Sequence, residues 1–65
     1  MYGKILRELR TEKKLTQQQF ADIFNISQKS VSKYETEQLD LSTDLIIKIC
    51  RYFKVSADYL LGLED

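Results

Sequence analysis

Gln28, Lys29, Ser32 and Lys33 recur at the spacing of successive helical turns, and all four carry polar tips. Gln28 offers an amide that donates and accepts together, the two lysines offer ammonium donors, and Ser32 offers a short hydroxyl. Such a row can hydrogen-bond the edges of bases. Glutamine pairs in a bidentate way with N6 and N7 of adenine, and lysine donates to O6 and N7 of guanine. Alone, these residues are only a polar helix face. Their meaning depends on the element that presents them.

Other chemistry is poorly supplied. The 65 residues include no histidine, which removes imidazole general bases, His-based triads and His-ligated metals. The carboxylates are scattered, with no pair set for acid–base work. The two glycines form no phosphate-cradling loop. Cys50, the single cysteine, falls on the apolar face of a predicted helix and reads as a structural thiol. It cannot form an internal disulfide, which suits a reducing cytosol. No enzyme, cofactor or metal is expected.

The polar row belongs to Thr16–Glu35, which reads as two short helices and one tight turn. Thr16 is a predicted N-cap, and Gln19 three residues later completes a capping-box pattern. Phe20, Ala21, Ile23 and Phe24 follow with helical spacing. Asn25 tolerates positive φ and can end this helix and swing the chain. Ser27 then caps a second helix, about 28–35, with Val31 and Tyr34 on its apolar side. Phe20, Phe24, Ile26, Val31 and Tyr34 form the expected joint, and Ala21 is small where the helices cross. A tight apolar joint with an outer row of amides and amines is a helix-turn-helix arranged for a major groove.

Thr16–Glu35 resembles the motif of the Cro/repressor-type (XRE-type) DNA-binding family. The matching residues are Gln17, Ala21, Ile26-Ser27, Val31 and Tyr34-Glu35. Leu9-Arg10 before the motif and Val55-Ser56-Ala57-Asp58-Tyr59-Leu60-Leu61-Gly62 after it extend the resemblance over nearly the whole chain. Asn25 departs from the usual Gly. Thr36–Leu41 (TEQLDL) departs from the usual Asn-Gly and basic residues. The resemblance implies an all-α, five-helix lambda-repressor-like domain. It also implies a largely buried ion pair between Arg10 and Glu35, supported by the cost of desolvating a lone charge beside the core.

The flanks supply the other predicted elements. Tyr2–Lys14 reads as a first helix with Tyr2, Ile5, Leu6 and Leu9 on one stripe, and Leu15 plugs the next joint. Ser42 is the predicted cap of a fourth helix that buries Leu45, Ile46, Ile49, Cys50 and Phe53. Ser56 caps a short last helix, Ala57–Leu61, which Gly62 ends in the left-handed conformation, and Leu63, Glu64 and Asp65 form a tail. Tyr2, Phe20, Phe24, Tyr34, Phe53 and Tyr59 read as core, and Tyr52 as more exposed. Residues 1–65 are expected to form one domain. No apolar run approaches the length of a membrane span, and the amphipathic N-terminus reads as fold, not leader.

Net charge is zero, but it is unevenly placed. Residues 1–35 hold seven Lys/Arg and four Asp/Glu, a balance of +3, whereas residues 36–65 hold three and six, a balance of −3. The half carrying the motif is the basic one, although plain surface scatter is the alternative.

The expected function is that of a sequence-specific transcriptional regulator, a repressor, cytoplasmic and of bacterial or phage origin, the origin being implied by the resemblance. Gln28, Lys29, Ser32 and Lys33 are the expected base readers, and Thr16, Gln17, Ser27 and Thr36 the expected phosphate contacts. A homodimer on a two-fold operator is expected, with Leu60, Leu61 and Leu63 as candidate contacts, closure of the core being the alternative for Leu60 and Leu61. Glu37 and Asp40 weaken the backbone-following role of the segment after helix three. The rival is a protein-interaction or antitoxin-like module on the same fold with weak or no DNA binding, favoured by neutral charge and the acidic segment.

Overall fold

The computed structural model describes residues 1–63; Glu64 and Asp65 of the expected tail lie outside the described residues. Among the described residues there are five helices and no strand: α1 (Tyr2–Glu12), α2 (Gln17–Phe24), α3 (Gln28–Glu35), α4 (Thr43–Phe53) and α5 (Ala57–Leu60). Four of them begin as the sequence predicts. Thr16, Ser27, Ser42 and Ser56 stand in extended backbone, and each hydroxyl accepts from the N–H three residues on. Gln19 also accepts from the Thr16 N–H at 2.9 Å, closing the capping box. No side chain of Met1 caps α1. Its cap comes from far along the chain: the Glu37 carboxylate accepts from the Gly3 N–H at 3.3 Å.

The helix ends share one device. Lys14, Asn25, Glu37, Lys54 and Gly62 all have φ between 57° and 75°, the left-handed region. After each, the next N–H returns to a carbonyl five residues back: Leu15 to Arg10, Ile26 to Ala21, Gln38 to Lys33, Val55 to Cys50 and Leu63 to Asp58. This is the Schellman closure, which satisfies otherwise orphaned carbonyls. Leu15, Ile26 and Val55 then turn inward and pack on the core. Asn25 and Gly62 are where the sequence placed this conformation; Lys14, Glu37 and Lys54 adopt it without the residue type that signals it. Thus α1 ends at Glu12, two residues before the predicted Lys14, because burying Leu15 requires the chain to turn there. α5 likewise ends at Leu60, with Leu61 as its terminal cap.

The core consists of Leu6, Leu9, Phe20, Ala21, Phe24, Val31, Leu45, Ile49 and Leu60. α3 packs on α2 and α1, α4 on α2 and α5, and α5 returns to α1. The Phe20, Phe24 and Phe53 rings form a triangle, with centroids 4.6 Å (Phe20–Phe24), 6.0 Å (Phe20–Phe53) and 6.4 Å (Phe24–Phe53) apart. These contacts bind α2, the helix that supports α3, to α4. Tyr59 is exposed, not core, because the short α5 buries only Leu60. Leu60 is fully buried and cannot serve a dimer contact; Leu61 is half-buried and Leu63 is exposed. Cys50 is half-buried on α4, and burial raises its thiol pKa, as suits a structural role.

Candidate nucleic-acid interface

The site begins at the joint between α2 and α3. Ala21 and Val31 are fully buried there, and Ile26 packs against the same core. Asn25 turns the chain at φ 57° and ψ 45°. With the inner sides occupied, α3 leaves Gln28, Lys29 and Lys33 exposed and Ser32 half-buried. The four predicted readers therefore lie on one helix, with Gln28 and Lys29 in its first turn.

Behind this row stands a buried carboxylate. The Glu35 side chain is 0% exposed, and Arg10 facing it is 13% exposed. Arg10 Nε donates to Glu35 Oε2 at 2.6 Å, its Nη2 to Oε1 at 3.3 Å, and its Nη1 to the Leu15 carbonyl at 2.7 Å. The expected ion pair is present, and it also fastens the end of α3 to the end of α1. Two further donors reach Oε1: Gln17 Nε2 at 3.1 Å and Arg7 Nε at 3.4 Å. Burial opposes ionisation of Glu35. Hydrogen bonds from Arg10, Gln17 and Arg7, with the Arg10 charge, outweigh it and hold the carboxyl below its ordinary 4.5.

Gln17 connects this hub to the surface. Its Nε2 is given to Glu35, so its Oε1 faces outward and accepts from Gln28 Nε2 at 2.5 Å. The Arg10–Glu35–Gln17–Gln28 chain fixes which end of each amide points where. Gln28 keeps its Oε1 and one N–H, the pair of groups that bidentate adenine recognition uses. The sequence reading treated Gln17 as a phosphate residue alone and missed this second task. It also assigned no role to Arg7. One signal was present: Arg7 precedes Arg10 by three residues and shares its helical face.

The other three predicted phosphate residues are occupied locally. The Thr16 and Ser27 hydroxyls accept from Gln19 N–H and Ser30 N–H, and the Ser27 and Ser30 hydroxyls share a 2.9 Å bond. Thr16 still has its hydroxyl proton to offer an anion. Thr36 does not in this arrangement: its hydroxyl donates to the Ser32 and Lys33 carbonyls at 3.0 and 3.3 Å. A phosphate contact from Thr36 requires that hydroxyl to turn.

The acidic segment after α3 is drawn toward α1. Besides Glu37 on the Gly3 N–H, the Tyr2 hydroxyl donates to the Leu39 carbonyl at 2.7 Å and to Asp40 Oδ1 at 3.3 Å. A carboxylate at a helix N-terminus is favourable, so Glu37 has a structural use. Gly3 permits this approach: a Cβ there would stand 2.4 Å from the Glu35 carbonyl oxygen.

The helix-turn-helix family model matches residues 6–60. Over 63 residues the chain is 38% identical to the HTH-type transcriptional regulator ImmR of Bacillus subtilis (strain 168), covering 97% of this chain and 50% of that protein. Over 65 residues it is 40% identical to the uncharacterized HTH-type transcriptional regulator YobD of the same strain, covering 100% and 58%. It is also 45% identical over 65 residues to the antitoxin PezA of Streptococcus pneumoniae serotype 4, covering 100% and 40%. The chain spans about half the length of the curated relatives it matches. A five-helix fold with a tight α2–α3 joint and a family match over most of its length establish that the chain belongs to the helix-turn-helix family.

Proposed function

We propose that this chain is a sequence-specific DNA-binding domain of a transcriptional regulator, a cytoplasmic repressor that lays α3 in the major groove. The observation that carries the reading is the polar chain from Arg10 through Glu35 and Gln17 to Gln28. A buried ion pair has no need of an exposed glutamine, yet this one orients Gln28 at the first turn of α3. In the helix-turn-helix docking mode, that turn meets the bases. Gln28 and Lys29 touch base edges, Ser32 reaches a base at shorter range, and Lys33 touches a base or a phosphate. Gln17, Thr16, Ser27 and Thr36 meet the backbone, Gln17 through its remaining amide N–H and the N-terminus of α2. One such helix spans few base pairs, so two copies bind a two-fold site with half-sites about 34 Å apart. With Leu60 in the core, Leu61 and Leu63 remain as candidates for the dimer contact.

The second reading, which the neutral net charge and the acidic segment favour, gains a further observation. A relative at 45% identity is named an antitoxin, which points to a protein partner in place of, or beside, DNA. Selection from a random duplex pool followed by Gln28→Ala and Lys29→Ala discriminates between the two. A DNA reader loses about 1–3 kcal/mol on its best site, with relaxed preference at one position for each variant. Gln17→Ala weakens binding to all sequences alike. A preference profile unchanged in the Gln28→Ala/Lys29→Ala double variant removes these residues as readers. No duplex binding at low salt leaves the protein-interaction reading.

A further inference from the structure

We infer that Arg7 is a phosphate-contacting residue held in reserve by the Glu35 hub. This inference rests on the DNA-binding reading above. A carboxylate has about four lone-pair sites, two on each oxygen. Glu35 Oε2 receives one donor, Arg10 Nε at 2.6 Å, whereas Oε1 faces three: Gln17 at 3.1 Å, Arg10 Nη2 at 3.3 Å and Arg7 at 3.4 Å. Oε1 is over-subscribed, and Arg7 holds it at the longest distance. Arg7 is also the solvated partner, with a side chain 59% exposed against 13% for Arg10. Without Arg7, Glu35 stays paired with Arg10, and Arg10 and Gln17 fill both sites of Oε1. Arg7 can therefore leave without stranding a buried charge, because Glu35 keeps its Arg10 partner and the Arg7 side chain is already largely solvated.

Two guanidiniums on one carboxylate leave one positive charge in excess at the junction of α1, α2 and α3. That charge shares an oxygen with Gln17, whose other end holds Gln28, so Arg7 lies on the flank of the proposed reading row. Arg7 thus supplies backbone charge that the segment after α3 lacks, since Glu37 and Asp40 there are acidic and turned toward α1. A guanidinium suits the task because its planar fork matches phosphate oxygens.

The test measures affinity for a selected duplex and for random duplex across a salt series, using the full chain and Arg7→Gln. Arg7→Lys serves as the conservative variant and Arg51→Gln, on α4, as a control for loss of a surface charge. Loss of one phosphate contact makes the log–log salt slope shallower by about 0.9. Between 50 and 200 mM salt, wild type then loses about 3.5-fold more affinity than Arg7→Gln. The expected result is this change on both duplexes, unchanged base preference, recovery of the slope in Arg7→Lys and little change in Arg51→Gln. A wild-type slope in Arg7→Gln overturns the inference alone, as does an equal change in Arg51→Gln. So does a fall in melting temperature comparable to that of Arg10→Ala, which would make Arg7 part of the core pair. A wild-type chain that binds no duplex overturns the DNA reading and this inference with it.

Discussion

Replacing Glu35 by alanine removes the carboxylate that Arg10 and Arg7 face together. Arg10 loses its bonds at 2.6 and 3.3 Å and keeps one acceptor, the Leu15 carbonyl. With 13% of the Arg10 side chain exposed, water cannot fully replace the carboxylate. Arg7 becomes an uncompensated like charge beside it. Breaking a buried pair from one side costs about 3–5 kcal/mol, and the remaining Leu15 bond places this case near 3 kcal/mol. A 65-residue domain has a total stability of about 3–10 kcal/mol. The loss should lower the melting temperature by about 12–24 °C. Thermal melts by circular dichroism, with urea titration for the free energy, measure it. The loss should be nearly the same at low and high salt, because a buried pair is little screened. Arg10→Met/Glu35→Leu should lose less than Glu35→Ala, since neither charge is left stranded. A melting temperature within a few degrees of wild type for Glu35→Ala, or a loss that vanishes in high salt, would refute the buried-pair reasoning.

The pH dependence follows from the same group. Glu35 has a folded pKa below its unfolded 4.5, so its contribution is fully present above about 4.5 and disappears as pH falls through the folded value. Urea midpoints followed downward from pH 5 should fall more steeply for wild type than for Glu35→Gln; parallel curves would contradict the assignment. Asn25→Gly should be neutral or slightly stabilising, and Asn25→Val should cost on the order of 1 kcal/mol or more, because a β-branched residue resists positive φ. Equal stability of the two variants in a denaturant titration would speak against a strained turn. Gly3→Ala gains helix propensity but sets a Cβ against the Glu35 carbonyl, so a net loss of about 1–3 kcal/mol is expected. A stabilised variant would show that α1 can move off α3. For assembly, titration of a selected operator should saturate at two copies per site; saturation at one copy would exclude the two-fold arrangement.

Much of the fold was legible because its signals are local. A hydroxyl three residues before its bonded N–H marks Thr16, Ser27, Ser42 and Ser56 as caps, whatever lies elsewhere in the chain. Apolar spacing marked the buried sides of α2 and α3, and Asn25 could be read because few residues accept its backbone conformation. The Arg10–Glu35 pair was anticipated through family resemblance and desolvation cost. Its other partners were not, since a glutamine amide or an arginine can reach many groups and the partners lie 18 and 28 positions from Glu35.

The boundary between the two kinds of knowledge runs along sequence separation. Residue types within a few positions determined where most helices start, which sides they bury, and which row α3 turns outward, because propensity and capping act within a turn or two. Packing decided the rest. Lys14 and Lys54 take left-handed backbone so that Leu15 and Val55 can reach the core, a gain invisible in the lysines themselves. Glu37 caps α1 only because α3 ends beside it, and Gly3 admits that approach. Gln17 joins Glu35 to Gln28 because the fold closes three helices around one carboxylate. A buried charge must find its hydrogen bonds wherever the fold brings donors, and the spacing of letters in a chain does not record that.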